Sequence, residues 1–347
     1  MILSVFDCER TQARLAGNFI ANPMEAALEI THKFLTTNGI KMHVAMAGES
    51  PIVLLCHGFP ESWYSWRHQL KALAKAGYCA VAPDMRGYGQ TDKPEAIDQY
   101  TLLHLTGDMV GLVEALGFKE AVIVGHDWGA PVAWHSALFR PDKFKGVVGL
   151  SVPFRPRGDV PPTTVMAETN DAIFYQLYFQ RPGVAEADLE KDVNRSLSTM
   201  LLGVAGSANV ESASVGMIPK SVFWLDSRIP LNAMPPWITQ TDIDFYSNEF
   251  KRSGFRGGLN WYRNIDRNWE LLAPWAGAKV IVPALYVAGD RDLVVRFPGA
   301  DKLIANLGQF IPQLREKILL PDCGHWTQQE RPEEINAALI RFLKELN

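Results

Sequence analysis

The pattern of apolar and polar residues becomes regular after the first thirty residues and predicts alternating strands and helices. Residues 32–37 and 40–47 alternate between apolar and polar positions and are joined by Asn38-Gly39, which is typical of a β-hairpin. Residues 51–56 form a continuous apolar run, as expected of a strand that is buried on both faces. The pattern then predicts helices at 66–74, 102–116 and 130–139 and strands at 79–83, 121–124 and 147–152. This alternation predicts an α/β domain with a mostly parallel sheet flanked by helices.

The alternation stops after Pro153 and resumes near residue 280. Residues 154–264 contain two Pro-Pro pairs and aromatic helical segments but no convincing strand. Beyond them we predict strands at 280–288 and 317–320, a mostly helical segment at 304–314 and an amphipathic helix at 332–346. We therefore divide the chain into a core of residues 1–153 and 265–347 and an inserted helical cap of residues 154–264. The first thirty residues show only a short helical pattern at 24–28.

Composition and charge exclude several classes of function. The chain has 347 residues, of which 47% are hydrophobic and 21% charged, so it can bury a large core. Its net charge is −4, from 34 basic and 38 acidic side chains, which argues against nucleic acid or an anionic membrane surface as a partner. The longest uncharged stretch, residues 196–210, is too short and too polar to span a bilayer. Asp7, Glu9 and Arg10 interrupt the apolar N-terminus before a signal-peptide core can form, so we expect a cytoplasmic location.

The cysteines and histidines do not indicate a metal site. Cys8, Cys56, Cys79 and Cys323 are widely spaced without a Cys-x-x-Cys pair, and we expect Cys56 and Cys79 to be buried strand residues. The eight histidines lack the spacing of metal ligands. The sequence therefore predicts no metal and a reducing environment.

The sharpest chemical motif lies between the strand predicted at 121–124 and the helix predicted at 130–139. Its sequence is Val124-Gly125-His126-Asp127-Trp128-Gly129-Ala130. Two glycines around one reactive residue allow the sharp strand-to-helix turn that holds a nucleophile above a sheet. Here that residue is Asp127 rather than a serine, and the alternative role for an aspartate in this turn is to cap the helix.

An aspartate nucleophile restricts the substrate. With an ordinary pKa of about 3.9, an Asp side chain is ionised at neutral pH without a general base. Its attack on an sp³ carbon gives an ester, which water can cleave at the carboxyl carbon, whereas a serine would give an inert ether. Asp127 therefore predicts an epoxide or a haloalkane as the substrate rather than an acyl ester.

Hydrolysis of that ester requires a histidine to activate water and an acid to orient the histidine. His325 follows the last predicted strand, and Asp292 follows the strand before it. This order of nucleophile, acid and histidine is the one used by hydrolases with a strand–turn–helix nucleophile. Asp290 is the rival acid, and the usual spacing from Gly289 favours Asp292.

The loop after the strand at 51–56 is expected to complete the site. The backbone N–H of Phe59, together with that of Trp128, would form an oxyanion hole. The loop sequence is His57-Gly58-Phe59-Pro60-Glu61-Ser62-Trp63, in which a cis Phe59-Pro60 bond would fit so tight a turn. Arg86, in the loop after the next strand, is expected to tie loops together rather than to bind substrate.

These stretches together resemble the epoxide hydrolases of the α/β-hydrolase fold, in particular the soluble bacterial enzymes and the C-terminal hydrolase domain of the mammalian soluble enzyme. The resemblance extends from about residue 35 to residue 346. It is carried by HGFPESWYSWRHQ (57–69), DMRGYG (84–89), VGHDWGAPVAW (124–134), FYQLYFQRPGVAEADLE (174–190), SGFRGGLNWYRN (253–264) and DCGHWTQ (322–328). It implies the α/β-hydrolase fold and hydrolysis of epoxides to vicinal diols without a cofactor or a metal.

The resemblance also implies two functional tyrosines in the cap. They match Tyr175, the first tyrosine of FYQLYFQ, and Tyr262, in NWYRN. The residue pattern alone does not single them out from the nine tyrosines of the chain, and Tyr178 is the nearby competitor.

A haloalkane or fluoroacetate dehalogenase remains the alternative, because it resembles the chain in fold, in its Asp nucleophile and in Trp128. Expulsion of a basic alkoxide needs a proton donor such as tyrosine, whereas a halide does not. The two tyrosines therefore favour the epoxide, as does Phe59, where haloalkane dehalogenases carry an asparagine.

A third possibility is an inactive hydrolase fold that only binds a ligand, and the complete set of Asp127, Asp292 and His325 argues against it. The expected partners are a small apolar epoxide and water. The sequence leaves open whether the protein forms a homodimer.

Overall fold

The computed structural model describes residues 29–208, 216–227 and 234–346. The helical pattern at 24–28 and Cys8 lie outside these ranges. The strands of the described residues are β1 (Thr31–Thr37), β2 (Ile40–Ala47), β3 (Ile52–Cys56), β4 (Cys79–Pro83), β5 (Ala121–His126), β6 (Phe144–Leu150), β7 (Ala172–Phe174), β8 (Met217–Pro219), β9 (Ala284–Gly289) and β10 (Leu314–Leu320).

Helices cover both faces of the main sheet and recur through the segment between β6 and β9. They are α1 (Arg67–Lys75), α2 (Leu102–Ala115), α3 (Gly129–Phe139), α4 (Tyr175–Tyr178), α5 (Val184–Leu189), α6 (Val193–Gly203), α7 (Gln240–Ser253), α8 (Arg256–Arg263), α9 (Ile265–Leu271), α10 (Ala300–Ala305), α11 (Leu307–Phe310), α12 (Thr327–Glu330) and α13 (Pro332–Lys344). No helix in the described ranges is both long and apolar enough to cross a bilayer.

Eight strands form one sheet in the order β1-β2-β4-β3-β5-β6-β9-β10. The pairs β1–β2 and β2–β4 are antiparallel, and every other pair in this sheet is parallel. The predicted fold class, a mostly parallel sheet flanked by helices, is therefore confirmed. Since β3, β4, β5, β6, β9 and β10 run in the same direction, the loops after β3, β5, β9 and β10 meet at one edge of the main sheet.

The central strands are buried on both faces, as their continuous apolar runs predict. In β3, Ile52 and Leu54 pack on one side of the sheet with residues of α2 and α3. Val53 and Leu55 pack on the other side with α1 and α13. A strand whose successive side chains enter two separate apolar layers cannot slip by one residue without disrupting both, so its end is fixed in space.

The hairpin predicted at Asn38-Gly39 is confirmed. Both residues have positive φ angles, 45° and 78°, and β1 and β2 pair from Thr37 with Ile40 outward. Two positive φ values are those of the turn that matches the twist of the flanking strands. The predicted burial of Cys56 and Cys79 is confirmed as well.

Some predicted boundaries are wrong. The strand predicted at 147–152 spans Phe144–Leu150, because Ser151 has a φ of 68° and leaves the extended region. The strand predicted at 280–288 begins only at Ala284, because Pro283 has no N–H to give to the sheet. The segment predicted as mostly helical at 304–314 ends its last helix at Phe310, and Leu314 begins β10.

The expectation of no strand between residues 154 and 264 is also wrong. β7 and β8 pair there as a separate two-stranded antiparallel sheet, with Ile173 opposite Ile218. Each has three residues, which is too short for an alternating pattern to emerge from the sequence.

Candidate active site

Asp127 stands on the turn between β5 and α3, as the sequence predicts. Its φ of 49° is unusual for a residue with a side chain and is the kind of strain found at functional sites. A Cβ at Gly125 would collide with the Gly129 carbonyl, and a Cβ at Gly129 would collide with the Cys56 carbonyl. The two glycines are therefore needed because backbone passes through the space that a side chain would occupy.

The two carboxylate oxygens of Asp127 have different surroundings. Oδ1 accepts a hydrogen bond of 2.8 Å from the backbone N–H of Phe59. The Phe59-Pro60 bond is cis. The backbone nitrogen of Trp128 lies beside the same carboxylate, because both crowd the position that a Cβ at Gly58 would take. Oδ2 lies 3.4 Å from His325 Nε2, so one oxygen faces backbone amides and the other faces the imidazole.

His325 is held on its other side by Asp292. The distance from His325 Nδ1 to Asp292 Oδ1 is 2.9 Å, and Asp292 is fully buried in the loop after β9. The Val294 N–H also donates to Asp292 Oδ1, at 2.9 Å. The rival Asp290 is exposed. The structure thus brings Asp127, His325 and Asp292 together and leaves Asp290 out.

Neighbouring charges determine the pKa shifts of the buried pair Asp292 and His325. Burial alone would raise the pKa of Asp292, but the charge and hydrogen bond of His325 outweigh it and lower that pKa. Burial would lower the pKa of His325, but Asp292 and Asp127 together raise it well above the ordinary value. The imidazole therefore holds a proton more strongly while Asp127 is charged.

Tyr175 and Tyr262 come to the same place from two helices, α4 and α8. Their ring centroids are 5.9 Å apart, at an angle of 75°. Burial raises the pKa of both phenols, and the negative charge of Asp127 raises it further, so both lie within the field of that carboxylate. Tyr178 instead donates to Asp188, with 2.9 Å between the oxygens.

Aromatic side chains surround the two phenols. The ring of Tyr262 lies 5.6 Å from Phe59, 5.0 Å from Phe179 and 5.2 Å from Trp128. Such walls suit a small apolar molecule, and the few polar groups that face it are a carboxylate, an imidazole and two phenols.

Comparison with known proteins agrees with this geometry. A family profile described as alpha/beta hydrolase fold matches residues 51–332. Epoxide hydrolase 3 of Siraitia grosvenorii is 46% identical, over 91% of this chain and 98% of that protein. Epoxide hydrolase A of Mycobacterium tuberculosis is 45% identical, over 90% of this chain and 97% of that protein. The solved structure of an epoxide hydrolase from an endophytic Streptomyces is 46% identical, with a TM-score of 0.87 over 91% of this chain and 96% of that chain.

The chain belongs to the epoxide hydrolases of the α/β-hydrolase fold.

This epoxide hydrolase also contains a buried glutamate–histidine pair that the sequence analysis did not single out. His126 Nδ1 lies 2.7 Å from Glu61 Oε2, and His126 Nε2 lies 2.7 Å from the backbone carbonyl of His325. Burial would raise the pKa of Glu61, but His126 outweighs it and lowers that pKa. Glu61 is then a carboxylate, and both ring nitrogens of His126 contact oxygen atoms.

The Glu61–His126 pair connects three loops of the site. Glu61 Oε2 accepts from the Gly58 N–H at 2.9 Å, beside Phe59, and Glu61 Oε1 accepts from Gln328 at 2.9 Å. The pair therefore joins the loops after β3, β5 and β10 beneath the site. Only the position of His126 directly before Asp127 could have signalled this role in the sequence.

The predicted structural role of Arg86 is confirmed. Its guanidinium makes two hydrogen bonds, of 2.6 and 2.7 Å, to the buried carboxylate of Asp108. Its backbone carbonyl accepts from the Trp261 indole at 3.1 Å, which attaches α8 to the loop after β4. Arg86 thus supports the helix that carries Tyr262.

Proposed function

We propose that this protein hydrolyses epoxides to vicinal diols through a covalent ester on Asp127. The observation that carries the proposal is a carboxylate that interacts electrostatically with two adjacent phenols and lies 3.4 Å, at one oxygen, from an imidazole. An epoxide needs both a nucleophile at carbon and an acid at oxygen, and this site offers them to one small ligand.

In the first step, Asp127 Oδ2 attacks a ring carbon of the epoxide while Oδ1 stays on the Phe59 amide. The carbon–oxygen bond of the ring breaks, and one phenol, Tyr175 or Tyr262, gives its proton to the oxygen that leaves. The product is a hydroxyalkyl ester of Asp127 and a phenolate. The second phenol stabilises the same oxygen as charge develops on it.

Formation of the ester changes the protonation of the site. Asp127 is one of the two carboxylates that raise the pKa of His325, and the ester has no charge. The pKa of His325 therefore falls on alkylation, its proton becomes available to the phenolate, and the imidazole becomes a base. The site thus switches from alkylation to hydrolysis because a single charge is lost.

In the second step, neutral His325 takes a proton from water, and the hydroxide attacks the carboxyl carbon of the ester. Negative charge collects on Oδ1, where the backbone N–H groups of Phe59 and Trp128 would stabilise it. The bond to Oδ2 then breaks, and the alkoxide that leaves with Oδ2 takes a proton from His325 to complete the diol. The new carboxylic acid of Asp127 returns a proton to His325, so Asp127 is a carboxylate again. Asp292 keeps the imidazole oriented throughout.

A dehalogenase remains the second candidate, because Asp127 could attack a haloalkane equally well. Halide needs no proton on departure, so Tyr175 and Tyr262 would have no task there. The pair favours the epoxide.

Isotope transfer in one turnover tests the ester. With enzyme in excess over epoxide in H₂¹⁸O, the label is expected in the Asp127 peptide and not in the diol, as measured by mass spectrometry. Label in the diol from this single turnover would mean direct attack by water. Halide release from haloalkanes at a rate matching diol formation would favour the second candidate.

We propose that the two domains of the chain supply different groups of the site. Residues 1–153 and 265–347 form the core that supplies Asp127, Asp292 and His325, and residues 154–264 form the cap that supplies the tyrosines. The substrate would be a small apolar epoxide, as the aromatic walls suggest, and the protein would act in the cytoplasm.

A further inference from the structure

The phenol of Tyr175 receives a hydrogen bond from the next residue in the chain. Gln176 Nε2 lies 2.9 Å from the Tyr175 hydroxyl oxygen. Both side chains are half-buried at the start of α4. An amide N–H is only a donor, so the phenol oxygen acts as the acceptor in this contact.

This contact determines where the Tyr175 proton can go. A phenol has one O–H to donate and lone pairs with which to accept. When Gln176 fills the acceptor side, the O–H of Tyr175 is left for a group in the pocket. The same donor stabilises a phenolate, and it lowers the pKa of Tyr175 against burial and the charge of Asp127, which raise it.

Tyr262 has a matching arrangement with a different donor. The Trp128 side chain, which has only an N–H to offer, makes a hydrogen bond that lowers the pKa of Tyr262 against the effect of burial. Each of the two phenols therefore accepts a hydrogen bond from its own donor. The donor to Tyr175 comes from the cap segment, and the donor to Tyr262 comes from the turn of Asp127.

The backbone around Gln176 is fixed to the segment of the other tyrosine. Gln180 Nε2 donates to the backbone carbonyl of Gln176 at 2.8 Å and to that of Tyr262 at 2.9 Å. One side chain therefore bridges the backbone of Gln176 and that of Tyr262, so it joins the two segments that carry the phenols.

We propose that Gln176 is a positioning residue for epoxide opening: its amide holds the Tyr175 hydroxyl so that the O–H points at the epoxide oxygen, and it stabilises the phenolate that follows. The inference rests on the proposed function, since it assigns a task within the first step. It predicts an effect on the rate of alkylation rather than on substrate binding.

Two substitutions with opposite hydrogen-bonding character test this role. Gln176→Met keeps the length of the side chain and removes the donor, and we expect alkylation to slow about tenfold with little change in epoxide affinity. In Gln176→Glu the ionised carboxylate accepts the Tyr175 O–H and draws it away from the substrate, so alkylation at neutral pH should be slower still. As the pH falls and the glutamic acid gains its proton, it can donate again, and the rate relative to wild type should recover.

Stopped-flow tryptophan fluorescence gives the alkylation rate, and Gln309→Met, an exposed glutamine far from the site in sequence, is the matched control. In a Tyr175→Phe background, Gln176→Met should not lower the alkylation rate any further. Equal losses in both Gln176 variants at every pH, or full additivity with Tyr175→Phe, would overturn the role, as would wild-type rates. Failure of the proposed function would show differently, as a wild-type enzyme that forms no ester with any epoxide.

Discussion

The two sides of the site are built in different ways. On the core side, Asp127, Asp292 and His325 stand in loops after parallel strands, and hydrogen bonds to backbone amides or buried side chains fix each of them. On the cap side, Tyr175 and Tyr262 stand on helices of four and eight residues and are held by ring contacts and by one side-chain hydrogen bond each. A strand end surrounded by neighbours tolerates little movement, whereas a short helix packed on aromatic rings can adapt.

This contrast separates the two chemical tasks. The core must place a carboxylate, a base and two amides within fractions of an ångström, which rigid loops do best. The cap must bring an acid to an oxygen whose position changes with the substrate. One charge links the two sides, because Asp127 raises the pKa both of His325 and of the phenols.

The largest effect is expected when the nucleophile is removed. Asp127→Ala should reduce diol formation by about 10⁶-fold, as loss of the nucleophile does in other hydrolases that act through a triad. The variant should stay folded, because one exchange in this loop leaves the apolar core intact. Alanine suits a φ of 49° less well than aspartate does, so the variant should melt slightly below the wild-type temperature. Activity within 10²-fold of wild type in a folded sample would exclude Asp127 as the nucleophile.

The second prediction separates the two steps on the core side. His325→Gln should still form the ester, because Asp127 needs no base, but should not hydrolyse it. Mass spectrometry after mixing with an epoxide should find the adduct on the Asp127 peptide at one equivalent. If the variant stays unmodified and inert, the histidine acts in alkylation.

The third prediction compares the two candidate acids. Asp292→Asn should slow ester hydrolysis by about 10³- to 10⁴-fold, as loss of the orienting acid does in a related triad, and Asp290→Asn should leave it unchanged. Asp292 raises the pKa of His325, so that pKa should fall in Asp292→Asn. The imidazole should then stay neutral, and able to act as a base, down to a lower pH than in wild type. Single-turnover rates across pH measure both effects, and equal losses in the two variants would contradict the assignment.

The sequence predicts the core side far better than the cap side, for a physical reason. Asp127 lies between glycines that a strand-to-helix turn requires, so its role follows from neighbours within two residues. His325 and Asp292 follow strands whose apolar runs are visible in the sequence. Tyr175 and Tyr262 have no such local signal, because they are 87 positions apart in the sequence and only packing brings them together. The resemblance to a family alone identified them.

The same reasoning explains what the sequence analysis missed. Glu61 and His126 are 65 residues apart, and neither has a local pattern that pairs them. The strands β7 and β8 have three residues each, so their pairing depends on the surrounding packing rather than on alternation.

The fourth prediction concerns the cap side alone. Tyr175→Phe and Tyr262→Phe should each slow alkylation by about 10²-fold, by analogy with loss of one oxyanion-hole donor, and the double variant should be nearly silent. Affinity for the epoxide should change less than the rate, because each donor acts as charge appears on the oxygen. Stopped-flow fluorescence can report on this step through Trp128. A double variant with wild-type rates would move the assignment to a dehalogenase.

The smallest effect is expected where the two sides are joined away from the site. The Tyr64 hydroxyl, next to α1, donates to Asp242 of α7 at 2.9 Å, and its ring stacks on Phe245 at 4.1 Å. Tyr64→Phe keeps the stack and removes one partly exposed hydrogen bond, so the free energy of unfolding should fall by about 1 kcal/mol and diol formation should stay within twofold of wild type. Tyr88→Phe is the matched control for stability, because its buried hydroxyl has no hydrogen-bond partner within the described residues. Urea unfolding of both variants measures the difference. If Tyr64→Phe instead lowered the alkylation rate as much as the loss of a phenol in the site, the cap would depend on this contact to place its tyrosines, and the two sides would be one rigid unit.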